Sequence, residues 1–91
     1  MWETVDPDGR RVALSFDGWR HIIERHDDLR AFLTEVLDTV MEPDEWIAGR
    51  RPHEEWFYRR DVGPSSWIKV VVHYEGREGR IITAFPRRRF P

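Results

Sequence analysis

Residues 67–74 constrain the fold more than any other segment of the chain. The segment, W-I-K-V-V-V-H-Y, contains three consecutive valines, and β-branched and aromatic residues are enriched in strands. A polar stretch with two glycines, residues 75–79, separates it from a second apolar run at residues 80–85. Because glycine tolerates the positive φ of tight turns, this pattern predicts an antiparallel hairpin. Pro86 is expected to end the second strand, because proline has no N–H to donate.

Two consecutive helices are predicted before this hairpin. Asp17 is a candidate N-cap for a first helix that ends near His26. A second helix is predicted to start at Asp27 or Asp28, and apolar side chains recur in it at i, i+3 and i+4 through residues 32–41. Pro43 ends this second helix, because the residue before a proline is pushed out of the α region.

The remaining segments are predicted to be short strands. The turn signal D-P-D-G at residues 6–9 lies between apolar runs and indicates an N-terminal β-hairpin, and residues 46–48 and 56–60 are two further strands. These elements predict an α+β fold in which two consecutive helices pack on an antiparallel sheet of about four strands, with the N-terminal hairpin added. A chain of 91 residues has room for one domain, residues 1–91.

Composition excludes several classes of protein. Cysteine is absent, so the chain has neither disulfides nor thiolate metal sites, which fits a reducing cytoplasm. The sequence shows no secretory signal pattern and no apolar run long enough to span a membrane. His21 and His26 are five residues apart, whereas two histidines that bind one metal from a helix are usually four apart. We therefore expect a cytoplasmic protein with no membrane contact, no metal and no cofactor.

The charge is distributed unevenly between the two halves of the chain. Residues 1–48 carry five arginines against twelve acids, a net −7, and residues 49–91 carry nine arginines and one lysine against five acids, a net +5. A basic surface attracts polyanions, so the second half is predicted to contact RNA phosphates. The arginines expected to do so are Arg50, Arg60, Arg87 and Arg88.

The predicted hairpin sets the faces of the sheet. With a loop over residues 75–79, Val72 pairs with Ile82 and Val71 pairs with Thr83. Because side chains alternate along a strand, Lys69 then lies on the same face as Val71, opposite the face that packs on the helices. A slip of one residue would exchange the two faces.

Four polar side chains are expected to converge on this second face, namely Lys69, Thr83, Tyr58 and Arg60. Two cations, a phenol and a hydroxyl can bind phosphate and handle protons, as RNA cleavage by 2′-OH attack requires. The alternative is that Lys69 and Arg60 simply solvate an exposed sheet face.

His26 is the predicted proton donor or acceptor. Its spacing from Trp19 and Ile22 turns it inward or toward the edge of the sheet. A helix C-terminus favours the charged form of histidine, whose unperturbed pKa of about 6.5 suits acid–base chemistry at neutral pH. The alternative is a half-buried core histidine held by a backbone hydrogen bond.

Four segments, in order along the chain, resemble a family of phage and toxin nucleases. Residues 19–29, W-R-H-I-I-E-R-H-D-D-L, resemble the family's helical H-I-x-x-R-H-P-E-L segment, with Asp27 where proline is usual. Residues 42–45 match its x-P-D-x helix exit, residues 67–72 resemble its W-L-K-V-V-V strand, and residues 80–85 its closing G-x-I-I-T-A-F strand. The family is the phage branch of the barnase–EndoU–colicin–RelE-like nucleases (PBECR).

The resemblance implies a metal-independent endoribonuclease of the toxin or prophage-effector type, acting on RNA and controlled by an antitoxin or immunity protein. It implies a catalytic histidine from the helix, a basic residue on a central strand and a hydroxyl residue on the last strand. Carried over residue by residue, these are His26, Lys69 and Thr83, with Arg25 and Tyr58 as companions.

Two other functions are compatible with the sequence. One is a non-catalytic module that uses the same basic face to bind RNA or an acidic protein. The other is an interaction domain whose exposed tryptophans form a homodimer.

Overall fold

The computed structural model describes all 91 residues and builds the chain around a single six-stranded sheet. In chain order the elements are β1 (Trp2–Val5), β2 (Arg11–Leu14), α1 (Phe16–Arg25), a 3-10 turn (Asp27–Leu29), α2 (Leu33–Met41), β3 (Glu45–Ala48), β4 (Glu54–Arg60), β5 (Trp67–Glu75) and β6 (Glu78–Arg87). The strands lie in the order β1-β2-β6-β5-β4-β3. No helix is both long and apolar enough to cross a lipid bilayer.

The predicted antiparallel sheet of about four strands is wrong, because the sheet has six strands and is mixed. The N-terminal hairpin is part of the sheet, since β2 pairs in parallel with β6 over Arg11–Ala13 and Glu78–Arg80. A parallel pair needs a long crossover connection, and the helices and strands between β2 and β6 provide it. The buried residues Val12 and Leu14 identify the inward face of β2, but this alternation does not specify the neighbouring strand.

The β5–β6 hairpin is tighter than predicted and contains a bulge. Only Gly76, with φ of 61°, and Arg77 separate the two strands. Val72 consequently pairs with Ile81 rather than with Ile82, and the register shifts between Val71 and Val72. A β-bulge adds one unpaired residue to a strand, so Ile82 absorbs the shift and turns outward, with 41% of its surface exposed.

Beyond the bulge the predicted register is confirmed. Val71 pairs with Thr83, and Lys69 pairs with Phe85. The expectation that Pro86 ends β6 is wrong, because the strand continues to Arg87. Proline is tolerated at a sheet edge, and β6 has no partner on its β2 side after Arg80.

Both helices pack on one face of the sheet, as predicted. The core of 13 buried residues joins Ile22 of α1, Leu29 of the 3-10 turn and Val36 and Val40 of α2 to the inward side chains of the strands. The opposite face carries no helix and is called the open face below.

The helix ends differ from the sequence-based expectation. The N-cap of α1 is Ser15, whose Oγ accepts a hydrogen bond from the Gly18 N–H, and Asp17 lies within the first turn. The chain after His26 forms the 3-10 turn, so α2 begins only at Leu33. The second helix ends at Met41, before Pro43, as predicted.

A buried ionic network fixes the N-terminal hairpin to the centre of the sheet. Asp6, 3% exposed, accepts hydrogen bonds at 2.7 Å from the Tyr74 hydroxyl and from Arg10 Nε. Arg10 also forms a salt bridge of 2.8 Å with Glu55, and its guanidinium lies 3.6 Å from the centre of the Tyr74 ring. Burial opposes the ionisation of Asp6, but the hydrogen bonds from Tyr74 and Arg10 hold its pKa below the ordinary value.

Candidate nucleic-acid interface

The open face contains a cleft of about 420 Å³ above β4, β5 and β6. Every second side chain of these three strands points to the open face, and these side chains form the floor of the cleft. The loop between β3 and β4 supplies part of its rim. Its lining residues are Arg50, Arg51, Glu54, Trp56, Lys69, Val71, Ile82, Thr83 and Phe85. We call this feature the cleft.

Lys69 is the most unusual side chain in the cleft. It is only 6% exposed, and its ammonium lies 3.3 Å from the centre of the Trp56 ring and 5.4 Å from that of Phe85. It forms no salt bridge within the protein. The Tyr58 hydroxyl, not the Lys69 ammonium, is the buried polar side-chain atom left without a hydrogen-bond partner, so the ammonium keeps contact with solvent. Aromatic faces attract a cation, but they do not neutralise its charge.

The surroundings of Lys69 disfavour its protonated form. Burial lowers the pKa of its amine, and the positive charges of Arg87 and Arg50 lower it further. The carboxylate of Glu54 acts in the opposite direction but does not reverse the shift. An anionic ligand in the cleft would supply the salt-bridge partner that Lys69 does not have within the protein.

Glu54 is the acidic group of the cleft, and the sequence analysis missed it. Its Oε1 accepts hydrogen bonds from the indole N–H of Trp56 at 2.8 Å and from the backbone N–H of Arg50 at 3.2 Å. These bonds orient the carboxylate and leave Oε2 without a hydrogen-bond partner in the protein. The strand was expected to start at Trp56, although alternation back from Tyr58 and Trp56 places Glu54 on the same face.

His26 lies beside the cleft and does not line it. It is the half-buried C-cap of α1, and its ring stacks on Phe85 with a centroid separation of 5.7 Å. Phe85 therefore contacts both His26 and Lys69, which belong to different elements. The His26 ring makes no hydrogen bond within the protein, and the neighbouring Arg25 is exposed at the last position of the helix.

The structure does not bring Tyr58 into the cleft. It is fully buried under Phe90 and Trp67, whose ring centroids lie 4.7 Å and 6.2 Å from its own. Its hydroxyl has no hydrogen-bond partner, and burial raises its pKa, which the charge of Arg87 partly opposes. Tyr58 therefore packs the open face and has no surface left with which to contact a ligand.

Of the four arginines predicted to bind RNA, only Arg50 lines the cleft. Arg60 is exposed, with its guanidinium 4.6 Å from the centre of the Trp67 ring. Arg87 is half-buried and donates a hydrogen bond of 2.8 Å to the carbonyl of Pro91, whereas Arg88 is exposed. Arg51 was not singled out from the sequence, because nothing in the sequence distinguished it from the other arginines in this half.

Ion pairing divides the chain into two electrostatic regions. Four of the five arginines in residues 1–48 form salt bridges with carboxylates, namely Arg10, Arg11, Arg20 and Arg30. In residues 49–91, neither Lys69 nor any of the nine arginines forms one. Unneutralised cations in this half give the open face an excess of positive potential, while α1, the 3-10 turn and α2 carry six carboxylates against two arginines.

Comparison with known proteins does not identify the chain: no family model, no curated protein and no solved structure matches it. The histidine and acidic side chains include no group of three placed to bind a metal ion. The chemistry of the cleft therefore has to be derived from its own residues.

Proposed function

We propose that this chain is a metal-independent endoribonuclease that binds RNA in the cleft and cleaves it by attack of the 2′-OH. The observation that carries the proposal is Lys69, a cation buried without a counter-ion at the floor of an aromatic cleft whose rim adds Arg50 and Arg51. Burying such a charge lowers the stability of the free protein, and a bound anion would offset that cost. RNA supplies the matching anion.

The cleft and the adjacent His26 together have groups for each requirement of the reaction. The 2′-oxygen bonds to phosphorus as the P–O5′ bond breaks, which leaves a 2′,3′-cyclic phosphate and a 5′-hydroxyl. Lys69 and Arg50 would stabilise the charge that builds on the phosphorane oxygens, and Thr83 would hold a phosphate oxygen. The proton of the 2′-OH would pass to the free oxygen of Glu54, and the leaving O5′ would receive one from His26.

The aromatic side chains of the cleft suit nucleobases. Trp56 and Phe85 line it together, and a base stacked on an aromatic side chain contributes about 1–3 kcal/mol to binding. Stacking tolerates every base, so it favours affinity over sequence discrimination.

A non-catalytic RNA-binding module on the same face is the second candidate. The position of His26 favours it, because His26 stacks outside the cleft on Phe85, which leaves Glu54 as the only carboxylate and Lys69 as the only amine inside. The toxin or prophage-effector role, with an antitoxin or immunity protein as partner, is supported by the sequence resemblance alone. The predicted exposed tryptophans are not found, because Trp67 is buried and the other four are half-buried, so homodimerisation through them has no support.

The test is cleavage of a fluorescent oligoribonucleotide by the purified protein in EDTA. We expect a 2′,3′-cyclic phosphate product and no cleavage of a substrate with 2′-deoxy sugars. Lys69→Met, Glu54→Gln and His26→Ala should each lose about 10²–10⁴-fold in rate. Arg59→Gln is the matched control. It removes one positive charge, as Lys69→Met does, but Arg59 pairs with Ile68 and lies on the helix side of β4.

The outcomes separate the two candidates. Binding that depends on Lys69 without any cleavage would establish the non-catalytic module. Cleavage that survives in a folded Lys69→Met protein would refute the assignment of the cleft as the active site.

A further inference from the structure

We infer that the binding groove continues past the cleft, along β5 and β6, to a second phosphate subsite formed by Arg51, His73 and Arg80. The ligand is then an extended single strand several nucleotides long, rather than a mononucleotide or a duplex. The inference rests on the proposed function and specifies the class of RNA that the face takes.

The continuity of the groove follows from shared walls. A neighbouring cavity of about 460 Å³ has Arg51, Glu54 and Ile82 in common with the cleft. A third cavity, of about 310 Å³, shares His73 and Arg80 with the second. The three cavities therefore form one groove on the open face.

The length of the groove is set by the strand that floors it. Phe85 and Arg80, at its two ends, pair with Lys69 and His73 of β5, which are four residues of extended chain apart, or about 13 Å. Stacked nucleotides advance about 3.4 Å along one strand, so about four fit, and fewer if the bases are splayed apart.

The charges along the groove favour a polyanion. Arg51 and Arg80 are exposed and form no salt bridge. The Glu54 carboxylate accepts hydrogen bonds through Oε1 alone, and Glu75 and Glu78, which line the third cavity, lie in exposed contacts 3.9 Å from His73 and 3.6 Å from Arg11. Arg51 and Arg80, which line the second cavity, are thus the cations left to meet phosphate.

The bulge gives the groove its midpoint. Ile82, the unpaired residue of the bulge, lies outward beside Thr83 and lines both the cleft and the neighbouring cavity. An apolar side chain at this point can support a base or ribose while the adjacent phosphates reach Lys69 on one side and Arg80 on the other.

A length series tests the inference. Fluorescence anisotropy would give the Kd of non-cleavable 2′-O-methyl oligonucleotides of two, four and eight residues for wild type, Arg80→Gln and Lys69→Met. We expect wild-type affinity to rise with length. Arg80→Gln should lose about fivefold on the octamer, and more at low salt, with the dimer unchanged. Its salt slope on the octamer should fall by about 1.

The controls separate this inference from the proposed function. Lys69→Met should weaken binding at every length, and Arg59→Gln at none. An Arg80→Gln protein, or the charge-reversed Arg80→Glu, that binds all lengths like wild type would overturn the distal subsite and leave the cleft intact. Equal binding of an RNA duplex and a single strand would overturn it as well. Loss of the Lys69 dependence would instead refute the proposed function.

Discussion

Replacing Lys69 by methionine should make the protein more stable while it removes RNA binding. Lys69 is buried and has no salt bridge, so the folded state bears the cost of removing its charge from water. Methionine has a similar length, carries no charge and makes favourable contacts with aromatic rings such as those of Trp56 and Phe85. Stability and function are therefore expected to change in opposite directions.

The size of the effect follows from two opposing contributions. Burying an ion costs several kcal/mol after relaxation, and a desolvated cation–π contact of the kind made with Trp56 returns about 2 kcal/mol. The expected gain for Lys69→Met is about 1–3 kcal/mol at pH 7. In a domain of this size each kcal/mol raises Tm by about 4–8 °C.

The pH dependence has a definite sign. Because the pKa of Lys69 is lowered in the folded protein, the penalty is complete below the folded pKa and is relieved as the pH rises toward the unfolded value of about 10.4. The stability difference between Lys69→Met and wild type should therefore shrink under alkaline conditions. Burial raises the pKa values of Tyr58 and Tyr74, but both tyrosines are present in the two proteins and cancel in the difference.

Urea unfolding followed by tryptophan fluorescence at pH 7 and pH 9.5 measures this prediction. Lys69→Arg, which retains the charge, is the control and should show no gain in the free energy of unfolding. A Lys69→Met protein that folds normally and is no more stable than wild type at pH 7 would refute the reasoning. Lys69 would then be a structural cation that its aromatic neighbours fully stabilise.

Four further predictions concern the basic face and the buried polar groups. Affinity for RNA should fall steeply between 50 and 200 mM salt because phosphate contacts release counterions, and a salt-independent Kd would contradict this. Asp6→Ala should cost about 3–5 kcal/mol in urea unfolding, since it leaves Arg10 and Tyr74 without their buried partner. Because the pKa of Asp6 is lowered in the folded protein, the stability that its carboxylate contributes is present above about pH 3.9 and is lost as the pH falls through the folded pKa. The free energy of unfolding of Asp6→Asn should therefore change less with pH in acid than that of wild type. Tyr58→Phe should be as stable as wild type or up to about 1 kcal/mol more stable, since the hydroxyl has no partner, and a larger loss would reveal a bond the structure does not contain.

Periodicity in the sequence was sufficient to predict the layers of the fold. The spacing of Val36 and Val40 placed α2 on the core, and the alternation through Lys69 and Val71 placed both on the face away from the helices. These predictions rest on which side of one element is apolar, and that information is local.

The pairing of strands and the burial of one side chain under another depend on residues distant in the sequence, and the sequence analysis did not predict them. The parallel contact between β2 and β6 joins strands with no local signal of their adjacency. Tyr58 was expected to be available to RNA because its strand position faces away from the helices, but Phe90 covers it from the end of the chain. Ile82 was expected to pair with Val72 on the helix side, but the two-residue loop places Ile81 there and leaves Ile82 on the open face.

The sequence predicted the part of the site that depends on strand register and missed the rest. Lys69 and Thr83 reach the cleft by strand register, which follows from the hairpin. Arg51 belongs to an irregular loop, and Glu54 to a strand whose start was placed too late, so their positions were not predicted. The proximity of His26 to Phe85 required the packing of a helix end against a sheet edge, for which the sequence carries no pattern.

The parallel pairing of β2 with β6 also determines when the molecule can fold during translation. β2 ends at Leu14, but its partner β6 begins at Glu78, so these two strands cannot pair until residue 80 has left the ribosome. Such distant contacts make folding slower than local hairpins or helices would. The cleft includes residues of β6, so a nascent chain has no complete cleft until residue 85 has left the ribosome.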